Sequence, residues 1–349
     1  MRIAPNSVTV SPGNGGNTYS TAADAASTAR PTGLFGSVNI DRSQSVTEWA
    51  STVVPPRVRP GDTVAVPAPS SPAPADRLAR GLDRLAGRYR VRTADDVTRA
   101  SDYLAGDDAR RADEFNGYLR DPDVRAIVCA RGGYGLLRIL DDLDADALRA
   151  DPKPIVAFSD GTALLAWAVA AAGVRPIHGP VVTQLGDLPD EDVRALCDLL
   201  ERPEPPPALA GDGAIGAAAD AEIDGWLAGG NLTLLAHLVG TRYAVDLRGA
   251  IALIEDVDEQ PYAIDRYMTR IALARGWAGC RAVAAGTFER CGDSGAAAVV
   301  NERLRAFDLP GVAGLPIGHG ARNRAVPIGA RARLAPGRAS LELLEGAVA

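Results

Sequence analysis

The chain has 349 residues, of which 46% are hydrophobic and 23% charged, and a formal net charge of −7. That is enough for two domains with a sizeable core, and the acidic balance argues against nucleic acid or an anionic membrane surface, which select clustered Lys and Arg. The four cysteines, Cys129, Cys197, Cys280 and Cys291, lie far apart with no C-x-x-C pair, which argues against a zinc or redox motif and a disulfide framework and fits reduced thiols in a cytoplasmic protein.

Residues 1–57 show no sustained period and read as a loose leader, or as sequence upstream of a later start. No apolar run approaches a membrane span, and the N-terminus lacks the basic-then-apolar pattern of a signal peptide. Regular structure is expected from Arg59-Pro60-Gly61-Asp62 onward. Thr63 to Ala68 and Arg88 to Arg92 read as strands, and leucines 78, 82 and 85 give Asp76 to Leu85 a helical spacing. Ala109 to Leu119 reads as a helix.

Val124 to Ala130 is a buried strand that runs into Arg131-Gly132-Gly133-Tyr134-Gly135 and then a helix through Leu140. Strand, glycine turn and helix together bring backbone N–H groups to one point, which suits an anion or an oxyanion; a tight turn needing positive φ explains the glycines equally well. The spacing is neither G-x-G-x-x-G nor a P-loop.

Ile155 to Phe158 is the next apolar run. Ser159, Asp160, Gly161 and Thr162 follow, and Ala163 to Ala170 reads as a helix ending at Gly173. A serine on such a strand-to-helix turn either caps the helix or stands clear of the sheet as a nucleophile. Alternating strands and helices from residue 62 to about 200 imply a doubly wound parallel sheet, with functional groups collected at the carboxyl ends of its strands. His178-Gly179-Pro180 comes close behind; His178 could reach that edge, but a single histidine is more often structural than catalytic.

The Pro- and Gly-rich residues 203–224 read as a linker. In the second half, Asn231 is placed to cap a helix over 232–239 after Gly229-Gly230. Ala250 to Ile254 is a buried strand ending in Glu255-Asp256, carboxylates that need a partner or a use. Residues 261–276 form a helix with Tyr262, Ile264, Tyr267, Met268 and Ile271 on one face. Cys280 to Thr287 is a strand, and Val326 to Ile328, Ala332 to Leu334 and Ser340 to Leu344 are short strands of a β-rich end.

A serine nucleophile needs a base, usually histidine, and the base needs a carboxylate to fix its tautomer. The chain has three histidines. His237 falls in an apolar helix and is expected to pack in the core. His319 lies between glycines in a loop and is the best base, with Glu255 or Asp256 as its orienting carboxylate. Cys129, inside an apolar strand, reads as a small core residue rather than a nucleophile.

From Arg59 to Gly346 the sequence resembles the LD-carboxypeptidase family of serine peptidases, which includes the microcin-C-immunity peptidases. The resemblance rests on motifs in order: Arg59-Pro60-Gly61-Asp62, Arg131-Gly132-Gly133-Tyr134-Gly135, Ser159-Asp160-x-Thr162, Gly229-Gly230-Asn231-Leu232, Glu255-Asp256, Pro261-Tyr262, Asp265-Arg266, Gly318-His319-Gly320 and Pro327-Ile328-Gly329. It implies an α/β fold: an N-terminal doubly wound, Rossmann-like domain over 58–202 carrying Ser159, and a smaller β-rich C-terminal domain over 225–349 supplying Glu255 and His319. It implies Ser159 as nucleophile, His319 as general base and Glu255 as its orienting residue. The oxyanion would be held by the N–H of Asp160 and of Gly132 or Gly133, and a substrate carboxylate by Arg131 or Arg266.

The implied reaction needs no cofactor or metal. It releases terminal D-alanine from muropeptide tetrapeptides during peptidoglycan recycling, in a cytoplasmic homodimer. Two alternatives stay open: a microcin-immunity-type peptidase acting on aminoacyl-nucleotide amides, and a non-catalytic muropeptide binder. The sequence departs from the family at Ala157, where glycine is usual, and at Gly161, where an apolar residue is usual.

Overall fold

Two sheets organise the chain in the computed structural model, which describes residues 49–292 and 295–349. The first is built from β1 (Thr63–Ala65), β2 (Arg90–Arg92), β3 (Val124–Val128), β4 (Ile155–Ala157) and β5 (Ile177–His178), all parallel, in the order β5-β4-β3-β1-β2. Apart from the edge strand β2, which is Arg90-Val91-Arg92 and partly exposed, these strands are short and largely apolar because both sheet faces are covered. Every residue of β1 and β4 is buried, as expected where crossover helices lie on each side. Helices Ala75–Ala86, Asp108–Arg120 and Thr162–Trp167 supply part of that cover. The last continues as a π-helical turn over Ala168–Ala172 and stops at Gly173, whose φ is +68°. Instead of the expected helix through Leu140, the glycine turn leads into two short 3-10 turns, Leu136–Arg138 and Leu140–Asp142.

The second sheet holds β6 (Leu209–Ala210), β7 (Gly213–Gly216), β8 (Ile223–Asn231), β9 (Ala250–Val257), β10 (Ala282–Glu289) and β11 (Pro310–Ala313). After β12 (Val326–Pro327), which belongs elsewhere, β13 (Arg331–Ala335) and β14 (Ser340–Leu343) complete it in the order β6-β14-β13-β8-β9-β10-β11-β7. Its centre, β8 to β11, is parallel, and antiparallel strands flank it on both sides. The α/β class with a parallel first sheet and a strand-rich second one is therefore as expected.

The sequence reading differs from the structure at several places. Residues 1–48 of the expected leader lie outside the described residues, but Trp49 is buried, and Val53 and Arg57 donate backbone hydrogen bonds to Gly173 and Ala349. The expected linker 203–224 contributes β6 and β7: its prolines precede the strands, and its glycines allow β7 to lie close against β11. Val326–Pro327 is no part of the C-terminal sheet. As β12 it pairs antiparallel with β5 at the edge of the first sheet, where Pro327 is tolerated. Helix Pro261–Leu273 buries Ala263, Ile264, Met268 and Ile271 but leaves Tyr262 exposed. No helix among the described residues is long and apolar enough to cross a membrane.

The two sheets meet beside the Ser159 turn. The N–H of Asn231, at the end of β8, donates to Thr162 Oγ1 at 2.9 Å. This fastens the second sheet to the helix that follows Ser159.

Candidate active site

Phe158 leaves β4 fully extended, and Ser159 then takes φ +61° to open a 3-10 turn over Ser159–Gly161. A positive φ is uncommon outside glycine. Here it swings the chain from strand to helix within one residue and leaves the serine side chain half-buried at the turn. The carboxyl ends of β3 and β4 are hydrogen-bonded neighbours, so the loop 131–135 emerges beside this turn. A Cβ at Gly132 would stand 2.9 Å from Ser159 Cβ and 3.1 Å from its Oγ, so only glycine lets that backbone approach the hydroxyl so closely. Among the described residues, the N–H groups of Gly132 and Gly133 have no hydrogen-bond acceptor.

The Asp160 carboxyl faces inward. It is buried and accepts hydrogen bonds from Ser70 Oγ at 2.7 Å and Leu136 N–H at 3.0 Å. Burial raises its pKa, and those two bonds oppose the rise. It therefore braces the Ser159 turn against the loop after Gly135 and the turn after β1. Ser71 belongs to the same brace: its N–H donates to Gly132 O, and its hydroxyl accepts from Tyr134 N–H. Sequence reasoning missed Ser70 and Ser71, although their place directly after the first parallel strand puts them at the sheet's functional edge.

Strand alternation separates the two candidate carboxylates. Glu255 and Asp256 are consecutive in β9 and point to opposite faces. Asp256 accepts from Asn231 Nδ2, Val257 N–H, Thr233 N–H and Thr233 Oγ1; burial and the adjacent Glu255 raise its pKa. Glu255 is completely buried and places Oε2 2.7 Å from Nδ1 of His319. At Gly318, φ is +117° and a Cβ would fall 2.7 Å from that same oxygen, so the residue before His319 must lack a side chain. The loop is held further by Gly318 N–H to Asn323 Oδ1 and by Gly320 N–H to Thr287 Oγ1. Asn323 is in turn bonded to Gln184 of the first half of the chain. The imidazole is mostly buried and lies 4.7 Å, centroid to centroid, from the ring of Phe158, the residue bonded to Ser159. Ser159, Glu255 and His319 thus converge on one locality from two sheets.

The other candidates fall elsewhere. His237 is exposed, not packed in the core, because its position on the helix Leu232–Leu238 turns outward; its Nδ1 lies 2.7 Å from Thr233 O. His178 is completely buried. Burial, with a smaller contribution from His319, lowers its pKa from 6.5 to about 3. Cys129 is buried and burial pushes its thiol up, which leaves it unreactive. Arg131 sits at the base of the glycine loop, half-buried, and donates to Pro72 O at 2.6 Å. Among the described residues it has no carboxylate partner, and burial together with Arg77 holds its pKa below the ordinary value. Arg266 is exposed over the Tyr262 ring.

Comparison with known proteins gives two family matches, the LD-carboxypeptidase N-terminal domain over residues 64–179 and the LD-carboxypeptidase C-terminal domain over residues 224–334. The chain belongs to the LD-carboxypeptidase family. It is therefore a serine-type carboxypeptidase, a hydrolase. The first match contains Ser159 and the glycine loop, and the second contains Glu255 and His319. The murein tetrapeptide carboxypeptidase of Pseudomonas aeruginosa is 33% identical over 297 residues, 78% of this chain and 92% of that protein. The crystal structure of muramoyltetrapeptide carboxypeptidase from Oxalobacter formigenes superposes with a TM-score of 0.72 at 28% identity, covering 81% of this chain and 98% of that one. The microcin C7 self-immunity protein in complex with aspartyl sulfamoyl adenosine shares the fold of this LD-carboxypeptidase, with a TM-score of 0.77, at 23% identity over 85% of this chain and all of that one.

Proposed function

We propose that Ser159, His319 and Glu255 form the catalytic triad of a carboxypeptidase that removes terminal D-alanine from murein tetrapeptides. The reading rests first on the buried 2.7 Å contact between Glu255 Oε2 and His319 Nδ1. A carboxylate there keeps the proton on Nδ1 and leaves Nε2 as the base. His319 takes the Ser159 proton as the hydroxyl oxygen attacks the carbonyl of the last peptide bond. The tetrahedral oxyanion is held by the N–H of Asp160 and of Gly132 or Gly133, where loss of one donor typically costs about 10²–10³ in rate. His319 then passes the proton to the departing D-alanine amine, and water releases the acyl group by the same steps in reverse roles.

A carboxypeptidase must also recognise the free terminal carboxylate. Arg131, beside Gly132 and with no carboxylate partner among the described residues, supplies that charge. The relatives from Pseudomonas and Oxalobacter, named for murein and muramoyl tetrapeptides, support this substrate class. The setting that follows is recycling of wall peptides in the cytoplasm, by a homodimer.

The test is mass spectrometry of products from a murein tetrapeptide incubated with wild type and Ser159→Ala. Release of D-alanine by the wild type alone is expected. Hydrolysis of an aminoacyl sulfamoyl nucleotide without D-alanine release would assign the enzyme to the microcin-immunity activity. Binding of tetrapeptide without turnover of either substrate would make it a binder.

A further inference from the structure

His178 stands next to this site and has no step in the chemistry above. It is completely buried at the carboxyl end of β5, and neither ring nitrogen has a hydrogen-bond partner among the described residues. Its backbone is pinned from two sides: it pairs with Ala157 of β4 and with Val326 of β12. Gly179 N–H donates to Ala157 O at 3.1 Å. The imidazole is therefore mounted on the sheet interior, one strand away from the nucleophile turn. Its ring meets Phe158 in an edge-to-face contact, with centroids 5.8 Å apart and planes at 75°, a geometry that the ring quadrupoles favour. Phe158 in turn lies against His319.

His319 needs such support. Residues 314–325 contain neither helix nor strand. One hydrogen bond to Glu255 holds Nδ1 but constrains only weakly the small tilts of the ring on which the aim of Nε2 depends. A second restraint has to act on the ring plane, and the phenyl ring of Phe158 is the surface that does so. That phenyl is itself steadied by the His178 edge. Sequestered from water, His178 stays neutral and places no charge near His319.

We propose that His178 is a positioning residue of this active site, acting through Phe158 to hold the His319 ring plane toward Ser159. The proposal rests on the reading of Ser159 and His319 as nucleophile and base.

The experiment is a kinetic cycle of His178→Ala, Phe158→Leu and the double variant on the tetrapeptide, with Ser159→Ala alongside. His178→Ala is expected to lower kcat by about ten- to a hundredfold, the scale of a small misplacement of a catalytic group, with KM little changed. The double variant is expected to be no slower than the slower single one, because both remove the same restraint. A His178→Ala enzyme with wild-type kcat, or losses that multiply in the double variant, overturns the proposal. Should circular dichroism show that His178→Ala does not fold, His178→Leu takes its place in the cycle, filling the space without a ring. Full turnover by Ser159→Ala would instead refute the triad reading, so the two failures are distinguishable.

Discussion

The Ser159 turn and the His319 loop are held in place in opposite ways. Ser159 is set by backbone: a buried strand, one residue at φ +61° and a helix start, with Gly132 pressed against it. His319 sits in irregular chain and is set by side chains from β9, β10 and the first half of the protein: Glu255, Thr287, Phe158, and Gln184 through Asn323. Backbone-set groups depend on which residues are small enough. Side-chain-set groups depend on partners far away in sequence. Damage to each should therefore differ in kind.

Glu255→Gln strikes the side-chain-held end hardest. The amide keeps the shape but can donate to Nδ1 and so impose the wrong tautomer on His319. We expect kcat to fall by about 10²–10⁴, with the fold intact. A kcat near wild type in steady-state assay would mean that His319 is not oriented by this contact.

At the backbone-held end, Gly161→Ala is the sharper probe. A Cβ at 161 would lie 2.6 Å from the Ala157 Cβ. The two positions at which the resemblance expects other residues thus face each other in space, Ala157 standing where the Cβ of a larger residue at 161 would go. Gly161→Ala alone should destabilise the protein by about 1–3 kcal/mol in urea denaturation and reduce kcat. Adding Ala157→Gly should restore most of both. Additive losses in the double variant would show that the positions are not coupled.

The remaining effect is on stability as a function of pH. His178 has a folded-state pKa lowered from 6.5 to about 3, so its neutral form favours the native state fully above 6.5. As the pH falls from 6.5 toward 3, the unfolded chain takes up a proton that the native state refuses, and stability drops. The wild type should lose up to ~1.4 kcal/mol per pH unit in that window relative to His178→Leu. Parallel slopes for the two proteins in denaturant titrations across this range would mean that His178 is not held neutral.

Much of this was legible in sequence. The strand positions, the glycine turn at 131–135 and Ser159 on a strand-to-helix turn follow from local apolar runs and from Gly and Ser placement, which are governed by near neighbours. That Glu255 and Asp256 face opposite ways was also latent, because consecutive residues of a strand alternate; which of the two faces His319 was not. Elements with weak local signals were misread: the Pro- and Gly-rich stretch that forms β6 and β7, the edge strand Val326–Pro327, and His237 on the outward side of its helix.

By itself the sequence determined the α/β class, the parallel first sheet and the residue types able to do acyl transfer, because hydrophobic period and turn chemistry act over a few residues. Only the tertiary structure decided which carboxylate meets His319, that the Asp160 side chain turns inward to Ser70 and Leu136, and that His178 reaches the site through Phe158. Those contacts join residues 20 to 161 positions apart. Their geometry depends on how two sheets pack, which no local pattern encodes.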